Sequence, residues 1–180
     1  YDFFAAMIIR FLDIAGRDLD VLELPGDDFA GNNGPIISPR MFDQYYKAPY
    51  ARLIKLVKDH SPHVKVVYHS DGAMTAFMPR LVEIGADIFH SAEPLPVWDL
   101  GEMKRKYGDQ LTFMGGIDIK SALPGSEADV RAEVKRRIDE MGSGGGYILA
   151  PSNHVQWDVP PKNLFTLFAA ARQYGRYPLR

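Results

Sequence analysis

The feature that most constrains the fold is a rhythm: short apolar runs alternate with amphipathic helix patterns from one end of the chain to the other. Residues 2–16 carry Phe4, Ile8, Phe11 and Leu12 near a helical period, with Gly16 as C-cap. Residues 21–24 read as a strand that Pro25 and Gly26 end. A long Gly- and Asn-rich loop, GDDFAGNNGPIISP, follows. Ser38 then caps and Pro39 opens a helix bearing Phe42, Tyr46, Leu53, Leu56 and Val57, which fades at residues 60–62. The rhythm continues with a strand at 64–68, a helix at 78–84 closed by Gly85, a strand at 86–89 and a helix at 100–107. Next come a strand at 111–114, a helix at 127–141, a glycine turn at 142–146 and a strand at 147–150. A helix at 161–174 presents Leu164, Leu167, Phe168 and Ala171 on one face.

Strict alternation implies parallel strands joined by right-handed crossovers, and short apolar strands imply a sheet covered on both faces. A doubly wound open sheet and part of a closed (β/α)₈ barrel both fit. Since a complete barrel takes about 250 residues, length alone favours the open sheet for a chain of 180.

Composition narrows the function classes. A formal net charge of −2 offers no basic footprint for nucleic acid. No apolar run is long enough to span a bilayer, and no basic-then-apolar leader opens the chain. Without cysteine there is no disulfide framework and no thiolate metal ligand, and a cytoplasmic setting is the default. The first residue, Tyr1, opens directly into helix pattern, so the chain is expected to start inside a larger protein.

In either architecture chemistry collects beyond the carboxyl ends of the strands. The residues there are Asp27 and Asp28; His69, Ser70 and Asp71; His90 and Glu93; Asp118; and Ser152, Asn153 and His154. Any one carboxylate could simply cap the next helix. Capping does not call for a histidine beside the carboxylate, so the set reads as a site. His69 and Asp71, two apart, point to one face, and an imidazole nitrogen with a carboxylate oxygen suits a divalent cation such as Zn²⁺. Further ligands would come from Asp28, Asn153 or His154. The competing reading of the pair is proton transfer. The 142–146 glycine run precedes a strand rather than opening a helix, so it lacks phosphate-binding geometry. The basic residues at 104–106 and 136–137 read as solvated helix faces, and Trp98 and Trp157 as aromatic wedges near the loops.

Five stretches in order resemble the uroporphyrinogen decarboxylase superfamily: GDDFAGNNGPIISPRMF, VVYHSDG, EIGADIFHSAEP, TFMGGIDIKSALPGSEADV and GYILAPSNHVQWDVPPKNLFTLFAAARQYG. The resemblance implies an α/β fold, a TIM-like (β/α)₈ barrel of which about strands four to eight are present in a single partial domain. That displaces the open sheet. Two chemistries come with the family: decarboxylation of uroporphyrinogen, and methyl transfer between a corrinoid on a partner protein and a small donor or acceptor. In the methyltransferase branch a zinc site commonly has His-x-Cys at a strand end and a later Cys. His69 stands at that His, Asp71 at the first Cys, and residues 150–153 at the later one. The thiolates are absent, which leaves a harder, oxygen-rich ligand set for zinc or another divalent metal.

The methyltransferase branch is therefore the leading expectation. His69, Asp71 and Asp28 are its catalytic residues, and His69, Asp71 and His154 its metal ligands. Asp27, His90, Glu93, Asp118 and Asn153 would bind a small-molecule substrate. Decarboxylation is the alternative, against which stand the acidic strand ends and the shortage of Lys and Arg to hold a polycarboxylate. A non-catalytic barrel fragment used as a binding module is a third reading. Exposed sheet edges imply that the chain pairs with its missing half or with itself.

Overall fold

The computed structural model describes residues 1–24 and 26–179; the expected turn at Pro25 lies outside the described residues. The chain divides into two compact units, Tyr1–Phe89 and His90–Arg180.

In the first unit, helix α1 (Asp2–Ala15) leads to strand β1 (Val21–Leu24), and α1 packs on a later helix, α3 (Lys47–His60). Between them the loop is not featureless. Ala30–Gly31 (β2) and Gly34–Pro35 (β3) pair as a small antiparallel hairpin, the Asn32-Asn33-Gly34 stretch supplying its turn. Helix α2 (Pro39–Met41) starts where expected: the Ser38 hydroxyl accepts the Met41 N–H and Pro39 opens the first turn. It widens into a π-helical turn, Phe42–Tyr46, in which the Lys47 N–H reaches back to the Phe42 carbonyl. Pro49, which has no N–H to give, follows within α3, so regular bonding is already interrupted there. The face α3 buries is Tyr50, Leu53, Ile54 and Val57, with Leu56 half-buried.

Strand β4 (Lys65–His69) pairs parallel with β1, Val21 opposite Lys65 and Leu24 opposite Tyr68. The apolar run marks 64–68. Burial of side chains is what an apolar run reports, whereas backbone pairing continues to the polar His69. A 3₁₀ turn (Met74–Ala76), helix α4 (Met78–Glu83) and Gly85 at φ +85° complete this β/α unit. The core is aromatic: Phe29 meets Phe42 and Tyr46 edge-on at 5.1 and 4.8 Å, and lies among Tyr50, Tyr68 and Phe77.

Strand β5 (Ile88–Ser91) carries the chain from one unit into the next and includes His90, just beyond the end of the apolar run. The second unit holds α5 (Leu100–Tyr107), β6 (Thr112–Ile117), α6 (Glu127–Met141), β7 (Tyr147–Pro151) and α7 (Pro161–Tyr174). Asp99 caps α5, and Ser126 with Asp129 forms a reciprocal capping box on α6. β6 and β7 pair parallel, Phe113 opposite Tyr147. Gly115 and Gly116, expected to end β6, lie inside it at φ +113° and +84°. At Gly115 an added Cβ would lie 1.8 Å from the Ser91 carbonyl, so only glycine lets these backbones approach.

Ile117, Val130, Val134, Ile138, Leu167 and Ala170 form the core between β6, α6 and α7. The face α7 buries is Asn163, Thr166, Leu167 and Ala170, whereas Phe168 is exposed. The phase is set by hydrogen bonding: the Asn163 amide donates to the Leu123 and Gly125 carbonyls, which an apolar-face reading cannot register. Arg137 is likewise not solvated. It lies buried at 5% exposure on Glu133, itself buried, and also bonds Glu140. Trp98 is a buried wedge whose indole N–H donates to the Glu93 carbonyl; Trp157 is exposed.

Candidate functional site

In the first unit β1 and β4 run parallel and in register, so residues following them leave at one edge. Those residues are Asp27 and Asp28 on one strand, and Ser70 and Asp71, just past His69, on the other. The Asp71 N–H donates to Asp28 Oδ1 at 2.8 Å and so ties the two strand ends together. Buried Ser70 fixes the turn from below: its hydroxyl accepts the Phe29 N–H and contacts Met74 Sδ. Gly72, at φ +83°, lets the chain press against the hairpin, since a Cβ there would lie 2.3 Å from the Ala30 carbonyl.

This packing brings one donor atom from each of Asp28, His69 and Asp71 to within 4.8 Å of one another. His69 Nε2 lies 3.7 Å from Asp71 Oδ1, beyond direct hydrogen bonding but close enough to share one ligand. Both side chains are partly exposed, so the cluster opens to solvent. One imidazole nitrogen with two carboxylate oxygens is a donor set that fits a zinc-like or harder divalent ion.

Two tyrosines that sequence reasoning did not assign to the site stand beside these acids. The Tyr50 hydroxyl donates to Asp27 Oδ2 at 2.9 Å. Burial, then this bond to Asp27, pushes the Tyr50 phenol well above its ordinary range and keeps it neutral. Burial also pushes the Tyr68 phenol up, with Tyr50, Asp27 and Asp28 acting in the same direction. The Tyr68 hydroxyl is buried beside that of Tyr50.

The second unit arranges its strand ends differently. Ala92, buried and at φ +48°, turns the chain out of β5. His90 packs its ring against Gly115. Glu93 is buried and pairs with Lys120 Nζ at 2.5 Å; Lys120 was not foreseen, and it supplies a cation where little Lys or Arg was expected. Asp118 follows the capping alternative. Its Oδ1 accepts the Lys120 and Ser121 N–H groups and its Oδ2 the Ser121 hydroxyl. Burial raises this carboxyl, but these donors outweigh it and hold the group below the usual carboxylate range. Beneath it, Glu133 Oε1 accepts the Asp118 N–H. Asn153 Oδ1 accepts the His154 N–H and also meets its Nδ1 at 2.9 Å. His154 is exposed.

Parallel strands alternating with helices, with polar groups gathered at strand ends, define an α/β protein of the TIM-like barrel kind. The structure superposes on a methyltransferase from Methanosarcina mazei with a TM-score of 0.72 at 21% identity, over 96% of this chain and 47% of that one. The fold expected from the sequence, a run of β/α units of the TIM-like barrel kind, is the fold observed. Residues 22–174 match the family model described as uroporphyrinogen decarboxylase (URO-D). The chain belongs to the URO-D family.

Among curated relatives, a uroporphyrinogen decarboxylase of Neisseria meningitidis is 25% identical over 150 residues, covering 78% of this chain and 40% of that protein. One from Sodalis glossinidius is 31% identical over 78 residues, 43% of this chain and 22% of its own length. The chain thus spans about two fifths or less of these relatives. No helix among the described residues is long and apolar enough to cross a membrane.

Proposed function

We propose that the protein carrying this chain is a cytoplasmic enzyme of metal-assisted methyl transfer, acting between a corrinoid on a partner protein and a small donor or acceptor. The observation that carries this reading is the convergence of Asp28, His69 and Asp71 within 4.8 Å at one strand edge. These three would hold the ion. Zinc is the leading candidate; two carboxylates also admit a harder divalent ion. When bound, such an ion polarises an acceptor and lowers its pKa. His69 contributes a nitrogen from the rigid end of β4. Asp28 holds the Asp71 backbone and so fixes the spacing of the donors. His154, the other ligand expected from the sequence, has its Nδ1 engaged by Asn153, so the metal reading rests on the first unit's trio.

Metal analysis of the purified full-length protein beside His69→Ala tests this. Expected is near-stoichiometric divalent metal in the parent and its loss in the variant. Absence of bound metal from both, after growth and assay with zinc supplied, removes the metal reading.

Decarboxylation is a second reading, favoured by the names of the curated relatives. Against it, Asp27 and Asp28 present negative charge where a polycarboxylate substrate would have to be held. Release of carbon dioxide from uroporphyrinogen by the full-length protein would establish decarboxylation over methyl transfer.

A further inference from the structure

Beside the proposed metal site, in the same unit, lies a cavity of about 300 Å³ whose walls include Tyr1, Phe4, Tyr46, Tyr50, Leu53 and, at its rim, Asp27. Four aromatic side chains and a carboxylate contribute to the lining, and among the described residues no Lys or Arg does. Such a wall discriminates by charge. Anions meet Asp27 and the electron-rich ring faces, and a hydrated inorganic cation gains little from apolar rings. A cation that is itself apolar on the outside satisfies both features. The Tyr1 ring already holds a cation away from this lining: the Arg52 guanidinium lies 3.8 Å from its centre.

We infer that this cavity is a recognition site for a methylated ammonium group, with Asp27 supplying the counter-charge and Phe4, Tyr46 and Tyr50 the aromatic walls. Tyr50 also orients the counter-charge, because its hydroxyl holds Asp27 Oδ2 at 2.9 Å and fixes the carboxylate at the rim. The site is contiguous with the metal trio in the chain. Gly26 lines the cavity and packs on the His69 backbone, where an added Cβ would lie 2.3 Å from its carbonyl oxygen. Asp28, the next residue after Asp27, is one of the three donors. The inference deepens the methyl-transfer reading by naming the class of group handled beside the metal, and its catalytic meaning rests on that reading. Its binding claim does not.

The test uses the full-length protein, stripped of metal with a chelator, and tetramethylammonium chloride as probe, with tert-butanol as a neutral analogue of similar shape. Calorimetry or saturation-transfer NMR reads binding at fixed ionic strength. Expected is saturable binding of tetramethylammonium, at least tenfold weaker binding of tert-butanol, and a loss of roughly tenfold in Asp27→Asn and in Tyr46→Leu. Asp27 is exposed and its Asn is isosteric, so this variant keeps the fold; circular dichroism checks both. Equal binding of probe and neutral analogue, or no saturable binding of the probe, overturns the inference. Because the assay contains no metal, its failure leaves the metal reading standing. Loss of the metal reading in turn leaves a positive result here intact.

Discussion

The two units place polar residues at equivalent points of the β/α rhythm and use them in opposite ways. In the first, Asp28, His69 and Asp71 converge their donor atoms on one point. In the second, the strand-end carboxylates are answered from within the unit, Glu93 by Lys120 and Asp118 by Ser121 and two backbone N–H groups, and the helix carboxylate Glu133 takes Arg136 and Arg137. Position at a strand end is therefore not enough to make a ligand. What distinguishes the first unit is that one imidazole nitrogen and two carboxylate oxygens lie within 4.8 Å of one another.

The largest contrast is expected in metal uptake. His69→Ala and Asp71→Asn should lower divalent-metal affinity far more than tenfold, whereas Glu93→Gln and Asp118→Asn should change it less than about twofold. Titration with a zinc-competing indicator measures this. An equal loss from variants of both units would erase the distinction drawn between them.

Stability should show the reverse order. Glu133 and Arg137 are both buried, and Glu133 also receives Arg136 and the Asp118 N–H. Removing the carboxylate in Glu133→Ala leaves the buried Arg137 guanidinium its bond to Glu140 but takes away its buried partner, and should cost about 3 kcal/mol in urea denaturation. Asp71→Asn, at the partly exposed trio, should cost about 1 kcal/mol or less.

Backbone packing gives a purely steric comparison. Gly115→Ala adds a Cβ that would lie 1.8 Å from the Ser91 carbonyl, at φ +113°, and should cost about 3 kcal/mol. Gly144→Ala sits at φ +75° with nothing within 4 Å of its Cβ and should cost about 1 kcal/mol, the conformational penalty alone. Thermal or chemical unfolding of the pair separates contact from conformation.

The alternation of apolar run and helix pattern was enough to place the larger elements, because burial of one face leaves its period in the sequence. Helices α5, α6 and α7 span the residues at which their helical pattern placed them. Strand ends were less legible. His69, His90 and Gly115 belong to strands because backbone pairing continues past the last apolar side chain. The β2–β3 hairpin left no apolar alternation to read, being two residues a side. At the site, His69 and Asp71 could be paired by spacing alone, while the approach of Asp28 depends on the register of two strands far apart in the chain. Lys120 and Tyr50 carry no motif. Their roles arise from contacts with Glu93 and Asp27 that only tertiary structure creates.

The smallest expected effect lies in the acid limb of stability, and it bears on Asp118 as a capping group. Its folded pKa is held below the ordinary value of 3.8, so the unfolded chain binds the proton more readily than the native one. The stabilisation this carboxylate provides is therefore fully present above the unfolded pKa. It is lost as pH falls below about 4 and through the lower folded value. Asp118→Asn keeps the shape and part of the accepting capacity but cannot titrate. Its unfolding free energy should then fall less steeply than the parent's below about pH 4, while the two curves run parallel from about pH 5 to 7. Guanidinium or urea midpoints collected at half-unit pH steps resolve the difference. Curves that stay parallel down to about pH 3 would mean that Ser121 and the backbone donors do not favour the charged form, and the capping role assigned to Asp118 would fall.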